Sequence, residues 1–196
     1  MKLSLKFLVV GTILGLLSIP AHAEWQLNNS DSSLYYVTSK AAAISEINTF
    51  TNLSGAISDD GTATLEIDLA SVDTAIEIRD QRVRDILFEI QEYPTASITI
   101  EIDSSALANL ATGSYSITNY DYSLSLHGMT AELNADLRLS KTSDSRIEIQ
   151  PAQPIIIGAG LFGLAAGVEA LREVAGLPSI NPNVVVDFSL SFDEGM

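Results

Sequence analysis

The chain has 196 residues, 46% of them hydrophobic, and 10 lysines and arginines against 25 aspartates and glutamates, for a formal net charge of −15. Such a surface repels nucleic acid and the anionic headgroups of a membrane, so neither is an expected partner. The apolar content is too high for a disordered polyelectrolyte. The chain has no cysteine, which excludes a disulfide framework, a cysteine nucleophile, thiolate metal sites and the lipid-bearing cysteine of a lipoprotein.

In chain order, Lys2 and Lys6 precede an apolar run from Phe7 to Ile19, followed by Pro20 and Ala21-His22-Ala23. Positive charge, a short apolar stretch and an A-x-A site form the layout of a secretory signal peptide. The run is shorter than the ~20 residues that a membrane span needs. Residues 1–23 are therefore expected to be removed, leaving 173 of the 196 residues. That is enough for one domain with a core of its own. Without Lys2 and Lys6 the net charge moves from −15 to −17. The expected destination is the periplasm or the exterior, with no stable membrane insertion.

Apolar residues then recur with period two. Strands are expected at 33–38, at 44–57 and from Thr62 through Leu65, Ile67 and Leu69, with Asp60-Gly61 making a tight hairpin before the third. Ile98, Ile100 and Ile102 mark another. Between Tyr115 and Leu126 the phase changes: Tyr115 and Ile117 share one parity, Tyr120, Tyr122, Leu124 and Leu126 the other. One extra residue near Asn119 restores a common apolar face, which predicts a β-bulge there. Met129 to Leu139 alternates without fault, 145–157 gives a further strand, and Val184, Val186, Phe188, Leu190 and Phe192 form the apolar face of the last.

Two segments break this pattern. Thr74-x-x-Glu77 resembles a capping box, after which Val83, Ile86, Leu87 and Ile90 fall at helical spacing. From Leu161 to Ala175, Leu164, Val168, Leu171 and Ala175 share one helical face, and Gly176 and Pro178 end the segment. The fold class is mainly β: an antiparallel eight-stranded barrel with two short helices, closed so that no strand edge is left open. A barrel of about eight strands either fills with side chains or holds one small ligand, and periodicity does not choose between these.

Catalytic signals are sparse. His127 is the single histidine after residue 23, and its neighbours Asp121, Ser123 and Ser125 alternate along one strand, which gives no triad geometry. There is no G-x-S-x-G elbow, P-loop or dinucleotide fingerprint. One histidine excludes a histidine-built metal site, and Asp59-Asp60-Gly61 lacks the spacing of a calcium loop. No catalytic residue, metal or obligatory cofactor is expected.

Ser71-Val72-Asp73-Thr74, then Arg79-Asp80, Val83-Arg84, Leu87-Phe88 and Tyr93-Pro94, resembles the signature of the YceI-like proteins. Leu126-His127-Gly128-Met129-Thr130 is similar to that family's turn between two long strands, and Phe162-Gly163 to its dipeptide before the last strand. Trp25 stands where the family begins with an aromatic. The resemblance, spanning roughly 25–192, implies a lipocalin-like barrel with an apolar pocket for a polyisoprenoid or similar amphiphile, periplasmic or secreted. Ser32-Ser33 replaces an early His-Ser pair, Lys40 to Ala43 holds no second histidine, and Gly160-Leu161 stands in place of a basic-Ser-Asp run.

The functional reading is then non-enzymatic binding, transport or sequestration of a long-chain lipid, an isoprenoid quinone included. The partner is that small molecule and, at most, a second copy of the chain. The expected cavity lining is Ile67, Ile98, Ile100, Tyr120, Tyr122, Leu124 and Leu126, with Leu133, Leu137, Phe188 and Leu190, closed by Leu164 and Val168. Arg79, Asp80 and His127 are the candidate polar contacts, although an Arg-Asp pair also serves to pin a helix to the barrel. Three other readings stay open at this level: a hydrolase using His127, a solid-cored interaction domain, and an outer-membrane barrel with a polar lumen.

Overall fold

Alternating sequence becomes strand almost wherever it occurs. The structure, a computed structural model, describes residues 23–41 and 43–195. The expected signal segment lies outside the described residues except for Ala23. In chain order the elements are β1 (Ala23–Leu27), β2 (Ser33–Lys40), β3 (Ile44–Phe50), β4 (Leu53–Ser58), β5 (Thr62–Asp68) and β6 (Val72–Asp73). Next come α1 (Glu77–Arg82), which continues into a wider π-type turn (Val83–Leu87), then β7 (Thr95–Glu101) and α2 (Ser104–Ala108). The chain closes with β8 (Tyr115–Leu126), β9 (Met129–Ser143), β10 (Arg146–Pro151), β11 (Ile155–Gly158), a 3₁₀ turn (Ala159–Phe162), α3 (Ala165–Val174) and β12 (Asn183–Glu194).

Eight strands form a closed antiparallel ring, β1-β4-β5-β7-β8-β9-β10-β12, sealed because β12 also pairs with β1. At its other end β12 pairs with β2 on one edge and β11 on the other, and β3 and β6 extend that side. The expected strands 44–57 and 145–157 are therefore each broken into two. Thr51-Asn52 interrupts the first, where the Asn29 side chain donates to the Thr51 carbonyl (3.0 Å) and accepts from Leu53 N–H (2.7 Å). Ala152-Gln153-Pro154 interrupts the second, and Pro154 has no N–H to give a ladder. Counted as two kinked strands, these pieces match the expected set of eight, to which β1 and the two-residue β6 are added.

The bulge near Asn119 is absent. Pairing of β8 with β9 runs in one register from Tyr115↔Ser140 to Leu126↔Met129. The phase change has another cause: Tyr115 and Ile117 face outward and are exposed, while Tyr122 and Leu124 point in. Arg138 lies 4.4 Å from the Tyr115 ring centroid and covers it. The capping box is also absent. Helix α1 begins at Glu77 with no side-chain cap, because Thr74 is engaged further along the helix, as described below. Helix α2, capped by Asp103, and strand β1 have no counterpart among the expected elements.

Other expectations hold. Asp60-Gly61 turns the β4–β5 hairpin with Gly61 at φ +93°, a conformation and a crowded approach to the Ile102 carbonyl that a side chain would spoil. Gly176, at φ +63°, follows the end of α3. The core gathers Ile57, Leu69, Leu139, Ile147, Phe162 and Phe192, all fully buried.

The register of β8 makes a direct prediction. Ile117→Ala is expected to change unfolding free energy by no more than about 0.5 kcal/mol, as for exposed sites generally. Leu137→Ala, in the buried face of β9, is expected to cost about 2–5 kcal/mol in urea denaturation.

Candidate functional site

The ring is hollow on the side where β2, β3, β11 and β12 rise above it. A cavity of about 340 Å³ runs from the barrel interior to a mouth beside α1 and the end of α3. Its walls are the inward residues that alternation selected: Ile67 on β5, Ile98 and Ile100 on β7, Tyr122, Leu124 and Leu126 on β8, Leu137 on β9, Phe188 and Leu190 on β12. Leu164, Val168, Leu171 and Ala175 recur at helical spacing and make α3 one wall of the cavity. Ile98, Ile100, Leu126 and Phe188 are only half-buried although they point inward, as expected of side chains that border a void rather than fill it.

Two of the expected lining residues do not reach the cavity. Tyr120 and Leu133 pack against the core without lining it. The sequence reading also missed the wall built by β2 and β3, where Leu34, Tyr36, Thr38 and Lys40 alternate opposite Glu46, Asn48 and Phe50. The pairing there is a ladder of rising polarity. Leu34↔Phe50 lies deepest, then Tyr36↔Asn48, then Thr38↔Glu46, with Lys40 at the rim. Alternation of β2 is visible in the sequence, but its outer half carries polar side chains on the inward face, so apolar periodicity alone stops at Tyr36.

At the mouth, Glu46 accepts from Arg79 and lies 2.5 Å from Lys40 Nζ. The Arg79 guanidinium, followed by Lys40, holds the Glu46 carboxyl below the ordinary glutamate range, although partial burial opposes this. Arg79 also donates through Nε to Thr74 Oγ1 (2.9 Å) and through its other nitrogen to the Thr74 carbonyl (2.8 Å). Asp80 accepts from Thr74 N–H (2.7 Å) and Thr74 Oγ1 (2.5 Å). Arg79 and Asp80 thus grip buried Thr74 from both sides instead of pairing with each other, and the helix is pinned to the barrel through that one residue. Of the two, only Arg79 lines the cavity. Burial raises the Tyr36 phenol above its usual value, with the Asp80 charge adding to the effect.

His127 lies elsewhere. It forms the β8–β9 turn with Gly128, both at positive φ. Nε2 sits 2.8 Å from Glu89 Oε2, and the ring rests 4.4 Å from that of Tyr93. A side chain at Gly128 would come within 2.8 Å of the Tyr93 ring. The imidazole borders a separate recess of about 250 Å³ with Gly163, Gly167 and Ala170, and its hydrogen-bond partner is a carboxylate, not the serine a hydrolytic triad requires. No group of three or more metal-ligating side chains occurs among the described residues, nor any helix long and apolar enough to cross a membrane.

A closed antiparallel ring with an apolar hollow and one polar mouth defines a lipocalin-like barrel. The apolar face points inward, opposite to the arrangement of an outer-membrane barrel. The chain belongs to the YceI-like domain family, whose match covers residues 25–192. It is similar to a polyisoprenoid binding domain from Saccharophagus degradans implicated in plant cell wall breakdown. The two share 37% identity over 89% of this chain and 100% of that one, with a TM-score of 0.88. BcnA of Burkholderia cenocepacia shares the fold at 15% identity and TM-score 0.66, covering 84% of this chain and 98% of its own. The YceI protein of Campylobacter jejuni does so at 14% identity and TM-score 0.54, over 76% and 85%. No curated protein sequence matches the chain.

Two substitutions test the mouth. Thr74→Val strips the shared hydroxyl and leaves Arg79 and Asp80 short of partners, with an expected loss of about 2–3 kcal/mol in chemical denaturation. Glu46→Gln is expected to lower stability by about 1–2 kcal/mol at neutral pH. Because the folded-state value of Glu46 is depressed, that contribution is present above the unfolded value of about 4.3 and vanishes as pH falls through the lower folded value. The gap between wild type and Glu46→Gln, measured across that acid range, is therefore expected to close.

Proposed function

We propose that this protein binds a long-chain amphiphilic lipid, a polyisoprenoid or a molecule of similar shape, with its tail in the barrel and its polar end at the Lys40–Glu46–Arg79 mouth. One observation carries the reading: a cavity of about 340 Å³ whose lining grades from Leu34 and Phe50 to Thr38, Glu46 and Lys40 along one strand pair. That volume lies within the range of small-molecule sites, and the gradient has the form of an amphiphile. The similarity to a polyisoprenoid binding domain supports the same assignment.

Binding is driven by removal of the tail from water, about 0.8 kcal/mol for each methylene buried. The protein performs no chemistry on its ligand; it shields an insoluble molecule and carries or sequesters it. The α3 wall is the gate, since it is a short segment that faces the cavity with Leu164, Val168 and Leu171. The signal-like segment at residues 1–23 supports a site of action in the periplasm or outside the cell. An isoprenoid quinone is among the molecules that fit the description.

Native mass spectrometry of the purified protein, before and after incubation with the C20 isoprenoid alcohol geranylgeraniol, tests the proposal. A one-to-one adduct is expected, and Ile98→Trp, which puts an indole into the cavity, is expected to reduce its occupancy at least about tenfold. A protein that takes up no isoprenoid or acyl chain at all refutes the reading.

A further inference from the structure

The barrel cavity has a neighbour. The recess beside His127 and the cavity share two lining residues, Leu87 at the end of the π-type turn and Leu164 just before α3. Among the described residues no other side chain borders both spaces, so one layer of leucine separates them. The recess stands at the opposite end of this wall from the mouth. Arg79, at the mouth, belongs to α1, and Leu87 ends the turn that continues that helix. Ala175, also lining the cavity, follows α3, whereas Leu164 precedes it. At the rise of an α-helix those two positions are about 16 Å apart.

The recess suits hydrocarbon. Ile86, Leu87, Leu164, Ala166, Gly167 and Ala170 wall about 250 Å³, and the two polar side chains at its edge, His127 and Glu89, bond to each other at 2.8 Å. A space so lined keeps an apolar chain out of water. Its backbone is unusual as well. Ala41, Ala75, Glu89 and His127 are the non-glycine residues at positive φ among the described residues, and the last two, at +49° and +53°, border this recess. Such conformations gather at ligand sites and switches, and π-type turns such as the one carrying Leu87 gather at functional positions. The partition is also free to part. The charged side chains of α3 bond only within residues 169–177, and its seam with the turn is the approach of Gly167 to Ile86 and Leu87.

We infer that the recess is a second apolar subsite, which receives the far end of a bound chain too long for the cavity after that end passes between Leu87 and Leu164. The inference rests on the lipid-binding reading above and adds where the surplus chain goes. It makes the two leucines a partition that a short chain leaves closed and a long chain opens.

The test uses the absence of cysteine from the chain: Ala170→Cys supplies a lone thiol in the recess, and Ile117→Cys a control thiol on the exposed outer face. Maleimide labelling is timed without lipid, with farnesol, and with hexaprenol, an isoprenoid alcohol of twice farnesol's length. Hexaprenol, several times above its Kd, is expected to slow labelling at position 170 at least about fivefold, whereas farnesol leaves the rate within about twofold. Neither alcohol should alter labelling at position 117. In native mass spectrometry, Ala170→Phe, which fills the recess, is expected to weaken hexaprenol at least about tenfold and farnesol by less than about twofold. If that variant does not fold, the thiol still decides. Hexaprenol that binds without protecting the thiol overturns the inference and leaves the lipid reading standing, because the surplus chain then leaves by the mouth. Farnesol bound while hexaprenol is refused does the same. Equal protection by both alcohols also overturns it, by showing a recess filled independently of chain length. If neither alcohol binds, both readings fall together.

Discussion

Everything in this fold depends on β12 being paired along both edges. Its last residues hold β10 on one side and β1 on the other, which closes the ring. Its first residues hold β11 and β2, which lift the wall above the ring. One strand thus serves a closed barrel and an open extension. Because its inward residues Val184, Val186, Phe188, Leu190 and Phe192 keep a single alternation throughout, the same apolar surface passes from floor to mouth without a step. The cavity follows from that continuity: it runs from the ring interior, where Phe192 is fully buried, up to the extension, where α1 and α3 line it.

The two helical segments are fixed to the barrel by different physics. The α1 segment is tied by polar bonds, since Thr74 is gripped by Arg79 and Asp80, and Arg84 donates to the Ala70 carbonyl. Helix α3 is laid down by contact alone. Gly167 lies so near the Ile86 carbonyl and Leu87 that a methyl group there would meet them at 3.0–3.3 Å, and Phe162, with no exposed surface, anchors the turn before it. A wall held by apolar contact is the easier one to displace, because among the described residues separating it breaks no buried hydrogen bond and no ion pair. This asymmetry is the physical reason for assigning the gate to α3 and the headgroup to the α1 side.

What the sequence made legible was the part governed by local periodicity. The β9 and β12 faces, the α3 stripe, the hairpin at Gly61 and most of the apolar lining follow from alternation or helical spacing. The failures share another cause. Tyr115 and Ile117 read as inward by way of a bulge because an apolar residue on an outer face looks the same in one dimension as one displaced by an insertion. Thr74 and Glu77 have the spacing of a capping box, yet Asp80 offers Thr74 a better partner than the helix end does. The mouth was least visible of all. Lys40, Glu46 and Arg79 meet only because β2 pairs with β3 and β6 brings α1 against them, contacts that no local pattern encodes. His127, conspicuous as a lone histidine, proved to be a turn residue tied to Glu89.

The central claim is that the hollow, and not the outer surface, receives an apolar chain. Methyl-resolved NMR with geranylgeraniol added tests it most directly, because isoleucine and valine methyls report both faces of the barrel at once. Shifts are expected at Ile98, Ile100, Val184 and Val186, which face the cavity, with Ile47, Ile117 and Ile156 on the exposed outer face unmoved. Shifts confined to the outer isoleucines, with the cavity methyls silent, would contradict it.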